Sequence, residues 1–391
     1  MNCNMDKNNP STKTFTYPPE MLWWARIIEK IVQHKNLELN EAEEATFKIF
    51  KYLEEGKPET TFILSIFFGC LTLKGLTVEE LVGMSLAMEK TKPFTFRFNV
   101  EKPVVTAGGT GGDTVKTINV TTPAVFVAST AGAVAVKSAA TAFSSKTGAA
   151  DLALTIGINI NAPQKTVEEC VEKIGTTVWA SAGIYPWMTS LLKLRQETIA
   201  PIIFPLMTSL RMMIATSLNP FSLKRQLRGT AIPQTELIAK VFSKVGYEKA
   251  LVPVGYGKDE NIRIDEFSNI GKTVVSELKP DGKIETYEVY PEDFGVKRGD
   301  VNEIKARDTH EENAKVVLKV LTGKDRSSRR DLILINAGAI LYLADVVQDF
   351  RDGYELACNI VDSGDVLEKV KQLVMMSGGD LNRFNSLVSS I

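Results

Sequence analysis

The stretch Pro103 to Asp151 most narrows what this chain can fold into, because it joins a glycine-rich acidic loop, a helix start, an isolated lysine and a paired-serine loop. Val104 and Val105 read as the end of a buried strand. Gly108, Gly109, Gly111 and Gly112 then leave successive backbone N–H groups uncovered, a geometry that cradles phosphate. Thr121 or Thr122 reads as the N-cap and Pro123 as the first residue of a helix whose positive end faces the same place. A second loop after the apolar run Ala131 to Val136 carries Lys137, Ser144, Ser145 and Lys146, which offer cations and hydroxyl donors to an anion. Two anion-binding loops on one sheet imply a polyphosphorylated ligand.

With 391 residues, two domains are expected, and the formal net charge of -1 excludes a broad basic surface for nucleic acid. Any anion site is therefore local. The four cysteines form no CxxC pair, so a disulfide framework is not expected and a reducing, cytoplasmic setting fits. The two histidines, His34 and His310, sit in charged contexts, which removes His-based metal sites and most nucleophilic triads. The opening Met1 to Thr16 is polar and reads as a disordered leader, residues 1–18. The apolar segment Ile199 to Leu218 contains Pro201, Pro205 and Arg211, so a buried or interface helix pair is the reading rather than a membrane span.

Residues 19–92 carry helical periodicity and form a helical domain, to which a helical segment near 180–218 returns. Asn40 before Glu43 and Thr77 before Glu80 have capping-box spacing, and Gly56 and Gly75 stand where helices stop. Beyond Lys92, short β-rich runs alternate with helical ones, which makes 93–179 and 219–391 an α/β domain. Strands are expected to end near Val105, Val136, Ile156, Val254 and Leu278. Leu332 to Asn336 is either a strand or a buried helix turn, and Val274–Leu278 with Ile284–Val289 is a hairpin.

Asp113 inside an anion loop is repulsive unless it holds ribose hydroxyls or acts through a cation, which suggests a sugar phosphate with metal. Lys137 either caps a strand or, flanked by small residues, reaches a ligand. Asp259 and Glu260 lie beyond the apolar run Ala250 to Val254, where ligands gather in α/β sheets, and such a pair suits Mg²⁺ escorting pyrophosphate. A solvated turn is the alternative. Arg195, on a mostly apolar helical stretch, either snorkels to the surface or points its fork at a carboxylate. Tyr185, Trp187 and Met188 are core or line an aromatic pocket.

On these residues the chain resembles anthranilate phosphoribosyltransferase, and more distantly the pyrimidine nucleoside phosphorylases, from about residue 20 to about 375. The most specific block is Gly109 to Asp113, then Asn119, Thr121 and Thr122, then Lys137 and Ser144 to Asp151. Weaker echoes are Asn219-Pro220, Asp259-Glu260, Pro291 to Gly295, Asn313-Ala314 and Asn336-Ala337. The resemblance implies a small helical N-terminal domain beside a larger α/β domain with a mainly parallel central sheet flanked by helices. It implies that Gly109, Gly111, Gly112, Asp113, Asn119, Thr122, Lys137, Ser144 and Ser145 bind phosphoribosyl pyrophosphate. It assigns Mg²⁺ to Thr121, Asp259 and Glu260, with Lys137 and the two carboxylates acting in catalysis. Arg195 falls where the family places an arginine on the substrate carboxylate, and the family forms homodimers.

The chain departs from the family where Lys-His-Gly-Asn-Arg-Ser becomes Lys137-Ser138-Ala139-Ala140-Thr141-Ala142, and where a histidine becomes Tyr185. The implied activity is therefore Mg²⁺-dependent phosphoribosyl transfer to an aromatic or heterocyclic acceptor other than anthranilate. The alternatives are an anthranilate enzyme with a repacked site, a nucleoside phosphorylase, and a non-catalytic binder of a phosphorylated ligand. Trp23, Trp24 and Phe67 look exposed and offer a dimer surface, with core packing as the alternative.

Overall fold

The computed structural model describes residues 17–140, 148–194 and 208–391. Four helices come first: α1 (Pro19–Val32), α2 (Leu39–Glu55), α3 (Thr60–Lys74) and α4 (Val78–Lys90). Thr77 and Glu80 close the expected capping box on α4, and Gly56 ends α2 in the left-handed region. On α2 the box is formed by Glu38 and Glu41 rather than Asn40 and Glu43, because the helix begins two residues earlier than the expected cap allows. The fully buried Glu80 carboxylate accepts from the Leu37 and Thr77 amides and from Lys74 Nζ, each at 2.9 Å. A buried charge so satisfied fixes the turns between helices.

The sheet then assembles from β1 (Val104–Gly109), β2 (Val134–Ala139), β3 (Thr176–Ala180), β4 (Arg225–Gly229), β5 (Lys249–Tyr256), β6 (Arg263–Ile264), β7 (Thr273–Leu278) and β8 (Ile284–Val289). The spatial order is β3-β2-β1-β4-β5-β7-β8, with β6 on the end of β5. The first five of these run parallel, and β7 and β8 add the expected antiparallel hairpin. The chain winds from β1 outward to β2 and β3 and then crosses back to β4. Between β1 and β4 it therefore switches direction, the point where parallel sheets open a crevice at their carboxyl ends.

Between these strands lie α5 (Thr121–Thr130), α6 (Ala149–Ile156), α7 (Gln164–Ile174), α8 (Pro186–Leu194), α9 (Thr208–Ser217) and α10 (Thr235–Lys244). After the hairpin come α11 (His310–Leu321), α12 (Ser328–Leu343), α13 (Phe350–Ser363), α14 (Asp365–Met376) and α15 (Leu381–Ser389). The run ending at Ile156 is helix α6, not a strand. The Asp151 carboxylate accepts from the Gly148 amide at 2.8 Å and so starts a helix that Gly157 ends at φ +103°. Leu332 to Asn336 belongs to the buried helix α12.

Strand alternation divides two cores. Val105, Ala107, Ala135, Leu227 and Leu251 face α5 and α12, whereas Val136, Ala250 and Val252 face the helical layer. That second layer includes α8 and α9, which pack on α2 to α4. Tyr185 and Trp187 are fully buried, and Trp187 stacks on Phe50 at 4.0 Å between ring centroids, so this aromatic group is core. Trp24 and Phe67 are likewise core rather than surface, and the exposed apolar side chains of α3 are Phe62 and Leu73. No described helix is long and apolar enough to cross a membrane. Trp187→Ala should lower the stability of the folded state by about 3–5 kcal/mol in urea unfolding, the cost of emptying a fully buried aromatic site.

Candidate active site

A cleft opens at the carboxyl ends of β1, β2 and β4, lined by the glycine loop, the start of α5, Lys137, Arg228 and the pair Asp265–Glu266. The α5 helix begins at Thr121, with Val120 as its cap, so Pro123 is its third residue and neither threonine side chain caps it. Among the described residues Thr122 Oγ1 is buried without a hydrogen-bond partner, as is Ser181 Oγ at the end of β3, and both residues line the cleft. Asn119 and Thr121 line it too. The amides of this first turn and two hydroxyl-bearing side chains thus surround one cavity, with the helix dipole favouring an anion there.

The glycine loop does not stand alone. Thr114 N donates to Arg263 O at 3.0 Å and Arg263 N to Thr114 Oγ1 at 2.8 Å, zipping the loop to the chain around β6. Asp265 N donates to Asp113 at 2.9 Å, and the Gly111 amide donates to the Asp265 carboxylate. A side chain on Gly109 would run into the Asp265 carboxylate, and one on Gly229 into the Asp265 carbonyl. Asp113, Asp265 and Glu266 consequently offer carboxylate oxygens within 4.8 Å of one another. Burial, and then the neighbouring carboxylate of Asp265, push Asp113 and Glu266 well above the usual carboxylate range. Glu266 Oε2 is buried with no hydrogen-bond partner among the described residues.

Asp259 and Glu260 lie outside this cleft. They sit on an exposed turn after β5, where Asp259 accepts from the Asn261 amide at 2.8 Å and Glu260 stands 3.4 Å from Lys272 Nζ. The turn closes through Gly257 N to Ile262 O at 2.9 Å, so residues 258–261 project beyond the sheet and the returning chain carries Asp265–Glu266 under the glycine loop. The sequence signal was a second Asp-Glu pair, flanked by Ile264 and Phe267 rather than by Lys and Asn. Asn336 fixes that pair from α12, with its amide exchanging two 3.0 Å hydrogen bonds with the backbone of Phe267. Asn313 and Asn219 clamp the backbones of Arg307 and Leu223 in the same way, so these motif asparagines hold turns in place.

Lys137 is 6% exposed, and its Nζ donates to Ser138 O at 2.7 Å. Beside it lies Arg228, 3% exposed, a cleft residue that the sequence reading did not single out because it stands in a strand between Leu227 and Gly229. Arg211 of α9 also reaches the loop: its Nη1 would be 3.1 Å from a Cβ on Gly112. Ser144, Ser145 and Arg195 fall outside the described residues.

The family model described as "Glycosyl transferase family, a/b domain" matches residues 101–367. The anthranilate phosphoribosyltransferase of Petrotoga mobilis is 33% identical over 349 residues, 89% of this chain and 95% of that relative. That of Acetivibrio thermocellus is 32% identical over 350 residues, again 89% and 95%. Among solved structures, anthranilate phosphoribosyltransferase from Thermus thermophilus superposes with a TM-score of 0.73 at 25% identity, covering 90% of this chain and 99% of that one. The fold is also that of the Saccharomyces cerevisiae enzyme in complex with PRPP and Mg, with a TM-score of 0.74 at 22% identity and coverage of 94% and 98%.

A glycine loop and a helix start facing one cleft at the switch point of this sheet thus belong to a glycosyltransferase of the phosphoribosyl-transferring type. The chain belongs to the anthranilate phosphoribosyltransferase family.

Burial, and then the charge of Arg228, push the Lys137 ammonium down to about 8. An anion binds the charged form better, so affinity should fall as pH rises through about 8. Inorganic sulfate keeps its charge throughout this range. Its dissociation constant should rise several-fold between about pH 7 and pH 9 in the wild type, and stay weak and flat in Lys137→Met.

Proposed function

We propose that the chain moves a phosphoribosyl group from phosphoribosyl pyrophosphate to an aromatic acceptor other than anthranilate, with Mg²⁺ held by Asp265 and Glu266 and supported by Asp113. The observation that carries the metal reading is the gathering of three carboxylates, one with an unpartnered buried oxygen, beside a cavity with anion-binding features. Like charges at that spacing favour a divalent cation with oxygen ligands. Thr121 borders the same cavity, which keeps it a candidate for orienting the metal's hydration. Bound Mg²⁺ would neutralise charge on the departing pyrophosphate.

The remaining work falls to the protein's own groups. The turn at Asn119 to Thr122 and the hydroxyl of Thr122 would hold the donor's phosphates, and Lys137 would add a positive charge at the middle of the cleft, between donor and acceptor. The acceptor nitrogen would then bond to the anomeric carbon as pyrophosphate departs with the bonding pair, and the proton that the nitrogen loses would pass to solvent or to the released pyrophosphate. Arg211 of α9, at the Gly112 side of the loop, would help to shield the reacting centre from water that would otherwise take the sugar. The reading of the acceptor is supported by the wall after Lys137, where Ser138 and Ala140 line the cleft in place of the family's histidine and asparagine.

The double variant Asp265→Asn/Glu266→Gln should lose at least about a hundredfold in Mg²⁺-dependent consumption of phosphoribosyl pyrophosphate, the scale expected when transition-state charge loses its counter-ion. Asp259→Ala/Glu260→Ala should stay within about twofold, since exposed substitutions away from the site change little. The reverse ranking in a pyrophosphate-release assay would overturn the metal assignment. With anthranilate as acceptor, pyrophosphate release should not exceed the rate without acceptor, and brisk turnover would return the acceptor to that of the named relatives.

A further inference from the structure

The cleft has two electrostatic halves, and the reading above accounts for one of them. Strand alternation places Gly108 and Arg228, paired in register across β1 and β4, on the face toward the helical layer, whereas Gly109 faces Asp265. Carboxylates therefore gather on one side of the β1 end and the Arg228 guanidinium on the other. Lys137, on the adjacent strand, brings its Nζ to the Gly108 side. A Cβ on Gly108 would lie 3.3 Å from Lys137 Nζ and 3.5 Å from Arg228 Nη1.

Arg228 is held from behind. Its Nη2 donates to Leu218 O at 2.6 Å, the loop after α9, and the Gln226 amide, oriented with its oxygen toward the guanidinium, takes that same edge. The Gln226 amide is itself bonded to the Tyr247 hydroxyl at 2.7 Å. Among the described residues neither Arg228 nor Lys137 forms an ion pair, and Arg228 Nη1 has no hydrogen-bond acceptor. Two buried cations beside each other, supported by Asp265 only at a distance and in contact with no carboxylate among the described residues, are costly to keep unless a ligand brings further negative charge.

Resting on the donor site proposed above, we infer that Arg228 Nη1 and Lys137 Nζ form a seat for a carboxylate of the acceptor, making Arg228 the residue that selects acceptors carrying an anionic group. One donor is available for each carboxylate oxygen, and Gly108 leaves the space for them. The seat lies on the helical-layer face, so an aromatic ring attached to the carboxylate would extend between the two layers. The opposite face, with its carboxylates, keeps the donor and its metal.

The test uses the full chain with benzoate and its neutral isostere benzamide as probes, titrated by NMR with phosphoribosyl pyrophosphate and Mg²⁺ present. Wild-type protein should bind benzoate at least about tenfold more tightly than benzamide. Arg228→Gln, which keeps a donor for Leu218 O, should erase that preference while changing the dissociation constant of phosphoribosyl pyrophosphate less than about twofold. Arg228→Lys should restore part of the preference, which a purely structural role would not do. A benzoate preference that survives Arg228→Gln overturns the inference. So does loss of phosphoribosyl pyrophosphate affinity with benzoate binding intact, because the guanidinium would then serve a donor phosphate. If the wild type failed to bind phosphoribosyl pyrophosphate, the function above would fall, and the benzoate comparison, run without it, would still decide the role of Arg228.

Discussion

The cleft depends on how closely the chain at Asp265 passes the ends of β1 and β4. Gly109 and Gly229 face that segment without side chains, and a Cβ at either would displace it. Because the approach is so close, the Gly111 amide and the Asp113 carboxylate both bond to Asp265, and the loop and the carboxylate pair become one rigid unit. Repulsion among the three carboxylates is held in check by these backbone donors and by the Asn336 clamp on Phe267. Such a unit holds three carboxylate groups with oxygens within 4.8 Å of one another.

The sheet sorts charge by parity. Residues one apart on β1 and β4 face different layers, so the loop's carboxylate contacts and the buried guanidinium are separated by a strand's thickness without any intervening barrier. Lys137 stands between the two sets. Its charge is disfavoured by burial and by Arg228 but supported by Asp265 and Glu266, which leaves a cation poised near physiological pH at the middle of the cleft.

Much of this was legible from residue order. The helical opening, the change to α/β alternation after Lys92, the hairpin at 274–289 and the glycine loop leading to a helix start all follow from period, turn chemistry and backbone freedom. Two local signals each have two structural solutions. The stretch ending at Ile156 carries a short apolar run that suits either element, and its glycine cap and Asp151 decide for helix. Asp259–Glu260 and Asp265–Glu266 are the same dipeptide six residues apart, and the apolar flanks of the second pair were the available cue.

The sequence by itself determined the architecture, the family and the half of the cleft built from consecutive residues, because a loop and the helix after it are fixed by local backbone preferences. Only the tertiary structure decided which carboxylates meet that loop and that Arg228 enters the cleft. The first depends on where the turn after β5 leaves the sheet. The second depends on β4 lying beside β1 at the cleft: Gln226 and Arg228 share one face and Leu227 the other, but only the packed sheet shows that the polar face opens on the site.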